Sequence, residues 1–258
     1  MNKLAVSAIA IVAAASAWAI PGTLNPSSGS SLKGNIKWMA ASKKYVVEYK
    51  KGATTVSGEF KPSEVDSLEI DKPAGLDKAI EQVQSGQGAA AVPALEKIVA
   101  EYKMLVWDKP AARYLVNAQL AAGNAQKAFQ TAQNVLADDK DAAYSGEFAP
   151  SYWQVLLKLG KNQQLENCLK KAATSGDRAT SAEALNMRGD IIVAQGGDPP
   201  DSYTKALTDA YLRVALLYLD EPCREARLNA LNKAAQCFDK LGQAPRAEDM
   251  RARAKMQM

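Results

Sequence analysis

The 258-residue chain contains no histidine. That removes Ser-His-Asp and Cys-His nucleophilic systems, together with every imidazole metal site. Cysteine is scarce: there are three and no C-x-x-C pair, so neither a zinc cage nor a thioredoxin-type motif is present. No G-x-x-x-x-G-K-[ST] or G-x-G-x-x-G stretch occurs, which leaves phosphate cradling by a glycine loop unsupported. The chain also lacks a concentrated basic face. Its formal charge of +4 is spread through mixed-sign clusters, which speaks against nucleic acid as a partner. The densest carboxylates, Asp138 and Asp139 with Asp141, lack the ligand spacing and loop glycine of a calcium site and read as a charged loop ending a helix. The sequence therefore calls for no cofactor and no metal, and it names no catalytic residue.

Long apolar runs are missing except at the start. Lys3 precedes an uncharged apolar run over residues 4–15, and Ala17-Trp18-Ala19 places small residues at both positions of a signal-peptidase site. Residues 1–19 are thus expected to be a signal peptide cleaved after Ala19, giving a periplasmic or secreted product that meets the membrane only transiently through that peptide. The rival reading is an uncleaved anchor. It is weakened because the run to Ile20 is about 17 residues, marginal for a spanning helix, and ends at Pro21. No cysteine follows the cleavage site to carry a lipid.

Composition then changes twice. Residues 20–32 are rich in Ser, Pro and Gly and predict a flexible linker. Residues 33–72 read as a small β domain, a half-barrel or SH3-like sheet. Ile36 and Trp38 alternate with polar residues, residues 45–49 are β-branched and aromatic, Lys51-Gly52 is a turn into 54–56, and 67–70 supply a fourth strand. Such a sheet is marginal alone and is expected to pack on helices. Trp38, Trp107 and Trp153 sit in apolar patterns that predict core packing; an exposed Trp38 beside Tyr45 and Tyr49 would instead suit a glycan or an extended peptide.

From residue 73 to 258 the spacing of apolar residues approaches 3.6, and five glycines punctuate it. Gly86, Gly123, Gly160, Gly196 and Gly242 fall 37, 37, 36 and 46 residues apart, each closing a helix-like stretch. A turn glycine at nearly constant spacing predicts stacked helical hairpins, each burying its apolar face on a neighbour. The expected pairs are 113–122 with 125–137, 152–159 with 161–173, 181–195 with 202–218, and 221–241 with 245–256. Cys223 and Cys237 would lie roughly 21 Å apart along the last of these first helices, so any disulfide must use Cys168; three buried thiols are the other reading.

Gly123-Asn124 followed by Ala128, Gly189 before Gly196, and Phe238 with Gly242 and Ala247 together resemble the tetratricopeptide-repeat (TPR) pattern, with Gly86, Ala91, Leu95 and Ile98 as a degenerate first unit. The spacing exceeds the usual repeat, Ala112 and Gln119 replace bulky residues, and Leu165 replaces an alanine. The resemblance implies a mainly α fold, an α-α superhelix of TPR-like hairpins behind the β segment. It further implies a concave groove lined by first helices that binds a protein or peptide partner. In that register Arg113, Asn117, Gln154, Asn186, Asp190, Asn232 and Gln236 project into the groove, and amides with an arginine suit an extended backbone or a carboxylate. The expected function is an exported, non-catalytic scaffold serving cell-envelope, secretion or pilus assembly. One alternative is a peptidoglycan or wall-polymer binding module using the β segment, with peptidoglycan then a partner; another is a hydrolase working through paired carboxylates.

Overall fold

The computed structural model describes residues 19–196 and 199–257. The expected signal segment, through Trp18 of its cleavage motif, lies outside the described residues. Two compact units make up the chain, Met1–Ala122 and Gly123–Met258.

The first unit opens with a five-stranded antiparallel sheet in the order β4-β3-β2-β1-β5. Its strands are β1 Ile20–Pro26, β2 Leu32–Met39, β3 Lys44–Lys51, β4 Thr54–Phe60 and β5 Val65–Ile70. Four of these are the strands expected from alternation. The fifth, β1, corrects the expectation of a flexible linker over 20–32, and it lies between β2 and β5 rather than at an edge. Its prolines are tolerated by position: Pro21 stands at the second residue, and Pro26 sits where the register with β5 shifts. Period-2 alternation sends Leu24, Ile36, Tyr45, Val47 and Ile70 to one buried face, with Trp38, Tyr49 and Phe60 packed at its margin. The Trp38 and Tyr45 rings lie 5.0 Å apart, with Tyr45 buried and Trp38 half-buried, so these aromatics pack on the sheet's core.

Three helices complete this unit: α1 Leu76–Gln84, α2 Gly88–Glu101 and α3 Asp108–Ala121. They bury Leu76, Ala91, Leu95, Ile98, Leu115 and Ala118 together. The connection over residues 102–107 joins them to the sheet. Leu105 is 1% exposed and completes the sheet's core, and the Trp107 indole N–H donates to the Ile70 carbonyl at 2.8 Å. Through these contacts α1–α3 belong with the sheet, so the division falls after Ala122 and not at the expected boundary near residue 72.

The second unit holds α4 Ala125–Asp138, α5 Ala149–Lys158, α6 Asn162–Thr174, α7 Arg178–Gln195, α8 Pro199–Ala206, α9 Leu212–Leu217, α10 Arg224–Lys240 and α11 Ala244–Lys255. A π-helical turn, Leu207–Tyr211, joins α8 to α9. Sequential helices pack as hairpins, α5 on α6, α7 on α8, and α10 on α11, and the first helices of successive hairpins also touch, α5 on α7 and α7 on α10. The chain is thus mainly α, with helical hairpins following a small antiparallel sheet, as its sequence predicts.

All five punctuating glycines have positive φ, from 65° to 81°, at the ends of α1, α3, α5, α7 and α10. After three of them the next amide reaches back five residues, Gln87 to Gln82, Lys161 to Leu156 and Gln243 to Phe238, which satisfies carbonyls the helix end would leave bare. The longer last interval is absorbed in part by α10 itself, 17 residues against 10 in α5. Cys168, Cys223 and Cys237 are all free and buried, and the Cys223 thiol donates to the Asp220 carboxylate at 3.2 Å.

Candidate functional site

The helical candidates divide between the units. On α3, Arg113 and Asn117 are half-buried, and the Arg113 guanidinium lies 5.6 Å from the centre of the Tyr114 ring. In the second unit Gln154 on α5 and Asn232 and Gln236 on α10 are exposed. Asn186 does not project into a groove. It is 1% exposed, and its amide nitrogen donates to the Ala226 carbonyl at 2.9 Å, tying α7 to α10. The periodicity that aligned it with Asp190 placed both on one stripe of α7, and the arrival of α10 covers the Asn186 end of that stripe.

Asp190 sits in a network that sequence reasoning missed. One of its oxygens accepts from the Tyr211 hydroxyl at 2.8 Å and the other from the Lys233 ammonium at 2.7 Å. Tyr211 belongs to the π turn, and it packs so close to α7 that a Cβ on Gly189 would stand 2.4 Å from its ring. Gly189 is therefore a contact glycine, needed for close approach. Burial and the Asp190 charge push the Tyr211 hydroxyl's pKa far up, keeping it a neutral donor. Lys233 and Gln236, three residues apart, share a face of α10, so the charged pair and an exposed amide lie side by side across the α7–α10 seam.

Polar order elsewhere in this unit supports the helices. Asp177 caps α7, accepting from the Ala179 and Thr180 amides at 3.0 and 3.3 Å. The Tyr152 hydroxyl accepts from Gln164 at 2.6 Å and Gln133 at 3.3 Å, and the buried Trp153 indole donates to the Ala143 carbonyl at 2.8 Å. Burial raises the Cys223 and Cys237 thiols to about 11, so neither is a poised nucleophile. Among the described residues no group of three or more His, Cys, Asp or Glu side chains is placed to hold a metal ion.

Three solved structures are similar to this chain. The crystal structure of the kinesin light chain nearly identical TPR-like repeats of Podosopora anserina matches at 16% identity with a TM-score of 0.39, covering 71% of this chain and 93% of that one. A singly substituted form of the same repeats matches at the same identity and TM-score, covering 92% of its length. BtubC (BKLC) from P. vanneervenii matches at 13% identity and 0.38, covering 71% of this chain and 88% of that one. No family model and no curated protein matches. Likeness at this level carries over neither an activity nor a partner.

The first unit has a cleft of its own, about 320 Å³, between the 3-10 turn Pro62–Glu64, β5 and the 102–107 connection. Met104 and Val106, both on its wall, have φ of 61° and 68°. For a β-branched valine this is a true outlier, of order 1–3 kcal/mol, and it persists only where the surroundings impose it. The Met104 amide is held at 2.7 Å by the Asp108 carboxylate, and Trp107 is held by Ile70. The connection is pinned at one end by the local Met104–Asp108 bond and at the other by the long-range Trp107–Ile70 bond, and the second of these leaves no signal in the local sequence.

Proposed function

We propose that the protein is an exported, non-catalytic scaffold whose second unit binds an extended peptide across α5, α7 and α10, in the setting of cell-envelope, secretion or pilus assembly. The observation that carries the reading is the side-by-side packing of these first helices, which leaves the Asp190–Lys233 pair and the exposed amides of Gln154, Asn232 and Gln236 on them. Amides supply both donors and acceptors to an extended backbone, and the ammonium of Lys233 with the carboxylate of Asp190 offers a seat for charge of either sign. Stacked hairpins provide such a surface without any reactive group.

Panning a random peptide display library on the protein tests the reading, with affinities of selected peptides then measured by fluorescence anisotropy. Replacing Asn232 and Gln236 together by Ala is expected to weaken binding by roughly tenfold, the loss of one or two uncharged hydrogen bonds. Intact mass of protein recovered from the periplasm or medium should correspond to a chain beginning at Ile20. Unchanged affinity in the double variant removes the α10 surface from the proposal, and a chain retained with its leader removes export.

A further inference from the structure

The cleft in the first unit is a separate site, and its chemistry is specific. Pro62, Leu68, Met104 and Val106 give it apolar walls, and Val106 is left 47% exposed at a strained φ, its side chain held toward the opening while Leu105 is turned into the core. Two carboxylates, Asp66 and Asp108, line the same space with the Tyr45 ring and Lys109. Both carboxylates are oriented by neighbours, Asp66 by the Ser27 hydroxyl at 2.6 Å and Asp108 by the Met104 amide at 2.7 Å together with the Lys109 amide. Apolar walls that lead to oriented carboxylates complement a long aliphatic stem ending in a cation.

The cleft also runs along an edge. Among the described residues β5 has β1 as its one strand neighbour, and Val65, Asp66, Ser67 and Leu68 of β5 line the space. An edge strand offers alternate backbone donors and acceptors to an added strand. We propose that this cleft receives a lysine or arginine side chain from an extended polypeptide segment that pairs with the edge of β5. The stem lies along Leu68, Met104 and Val106, and the charged head meets Asp108 and Asp66. Two carboxylates against the one Lys109 leave the cleft net negative, which selects a basic side chain over an acidic or neutral one. The imposed backbone at Met104 and Val106 keeps the apolar wall in place before the ligand arrives, so little ordering is required on binding.

Burial pushes the Asp108 carboxyl above its ordinary range, more than the Met104 and Lys109 amides and the Lys109 charge pull it down. Binding of a cation is therefore expected to weaken as pH falls through that raised value. Asp66 on β5, Tyr45 on β3 and Lys109 on α3 face the same space. Of these, Tyr45 stays neutral throughout, because burial and the Asp108 charge raise its pKa.

The test titrates the full chain with short, fluorescently labelled strand-forming peptides that differ at one central position: Lys, Arg, acetyl-lysine, norleucine or Glu. Lys and Arg peptides should bind roughly tenfold or more tighter than acetyl-lysine and norleucine peptides, as expected for hydrogen bonds to charged groups. Asp108→Asn and, separately, Asp66→Asn should each remove most of that preference. Asp66→Asn leaves the 102–107 connection untouched and so guards against a mere folding defect. The Asn232 and Gln236 substitutions of the second unit should have no effect here, which separates failure of this site from failure of the helical one. Equal affinity for Lys and norleucine peptides, a preference that survives both carboxylate substitutions, or no binding of any peptide overturns the proposal.

Discussion

Two aspartates sit at opposite ends of what burial can do to a carboxyl group. Burial alone would raise Asp177, but hydrogen bonds from the Thr180 hydroxyl and from the amides of Thr180, Ala179 and Gly146 outweigh it and hold the group below its ordinary value. A depressed folded-state pKa contributes stability that is present above the unfolded value and is lost as pH falls through the folded one. Asp177→Ala is expected to cost about 1 kcal/mol at neutral pH, the usual worth of such a cap. Urea titrations at neutral pH and in acid below the carboxylate range check it: the difference from the parent should shrink in acid, and a constant difference would assign the loss to something other than the charge. Asp108 has the reverse sign. Its raised value means stability is greatest below the unfolded pKa and declines as pH rises through the folded one, so the ionised carboxyl is a standing cost accepted at the cleft.

At the scale of elements, the connection between α2 and α3 carries the most weight for its length. Leu105 fills the sheet's core from outside the sheet, so Leu105→Ala should destabilise the first unit by about 2–5 kcal/mol, the range for a buried leucine whose site collapses only partly. Tryptophan fluorescence would follow it through Trp38 and Trp107 of that core, and a loss under about 1 kcal/mol would mean the leucine is dispensable. None of this was legible in the sequence. The helix ends were, because a positive φ favours glycine whatever surrounds it, and all five glycines have one. Four strands were legible from alternation, whereas β1 was hidden by Pro21, Gly22 and Pro26, residues that local rules read as loop and that only pairing with β2 and β5 turns into strand. The exposed amides of α10 followed from helical period. The Asp190–Tyr211–Lys233 network did not, since it depends on a π turn that shifts the helical phase and on the close approach at Gly189.

Across the molecule as a whole, each unit has buried clusters of its own. Leu24, Ile36 and Leu105 with their neighbours, and Leu76, Leu95 and Leu115 with theirs, fill the first unit, while Tyr211, Leu231 and Phe238 belong to a cluster wholly within the second. Residues 20–122 expressed alone are expected to unfold cooperatively, with Trp38 and Trp107 emitting as the half-buried indoles of the parent chain. A fragment with no cooperative transition would show that the first unit depends on the second. The sequence signals a helical repeat and stays silent on partners, because the proposed recognition by surface shape and ordinary amides leaves no motif. The cleft beside β5 is silent for a different reason: its walls come from residues near 45, 65 and 106 that only the fold assembles.

The unpaired state of Cys168, Cys223 and Cys237 has a consequence for biogenesis. A chain whose three thiols are buried and unpaired needs neither an oxidase nor an isomerase to mature. It can reach the same native state in a reducing or an oxidising compartment.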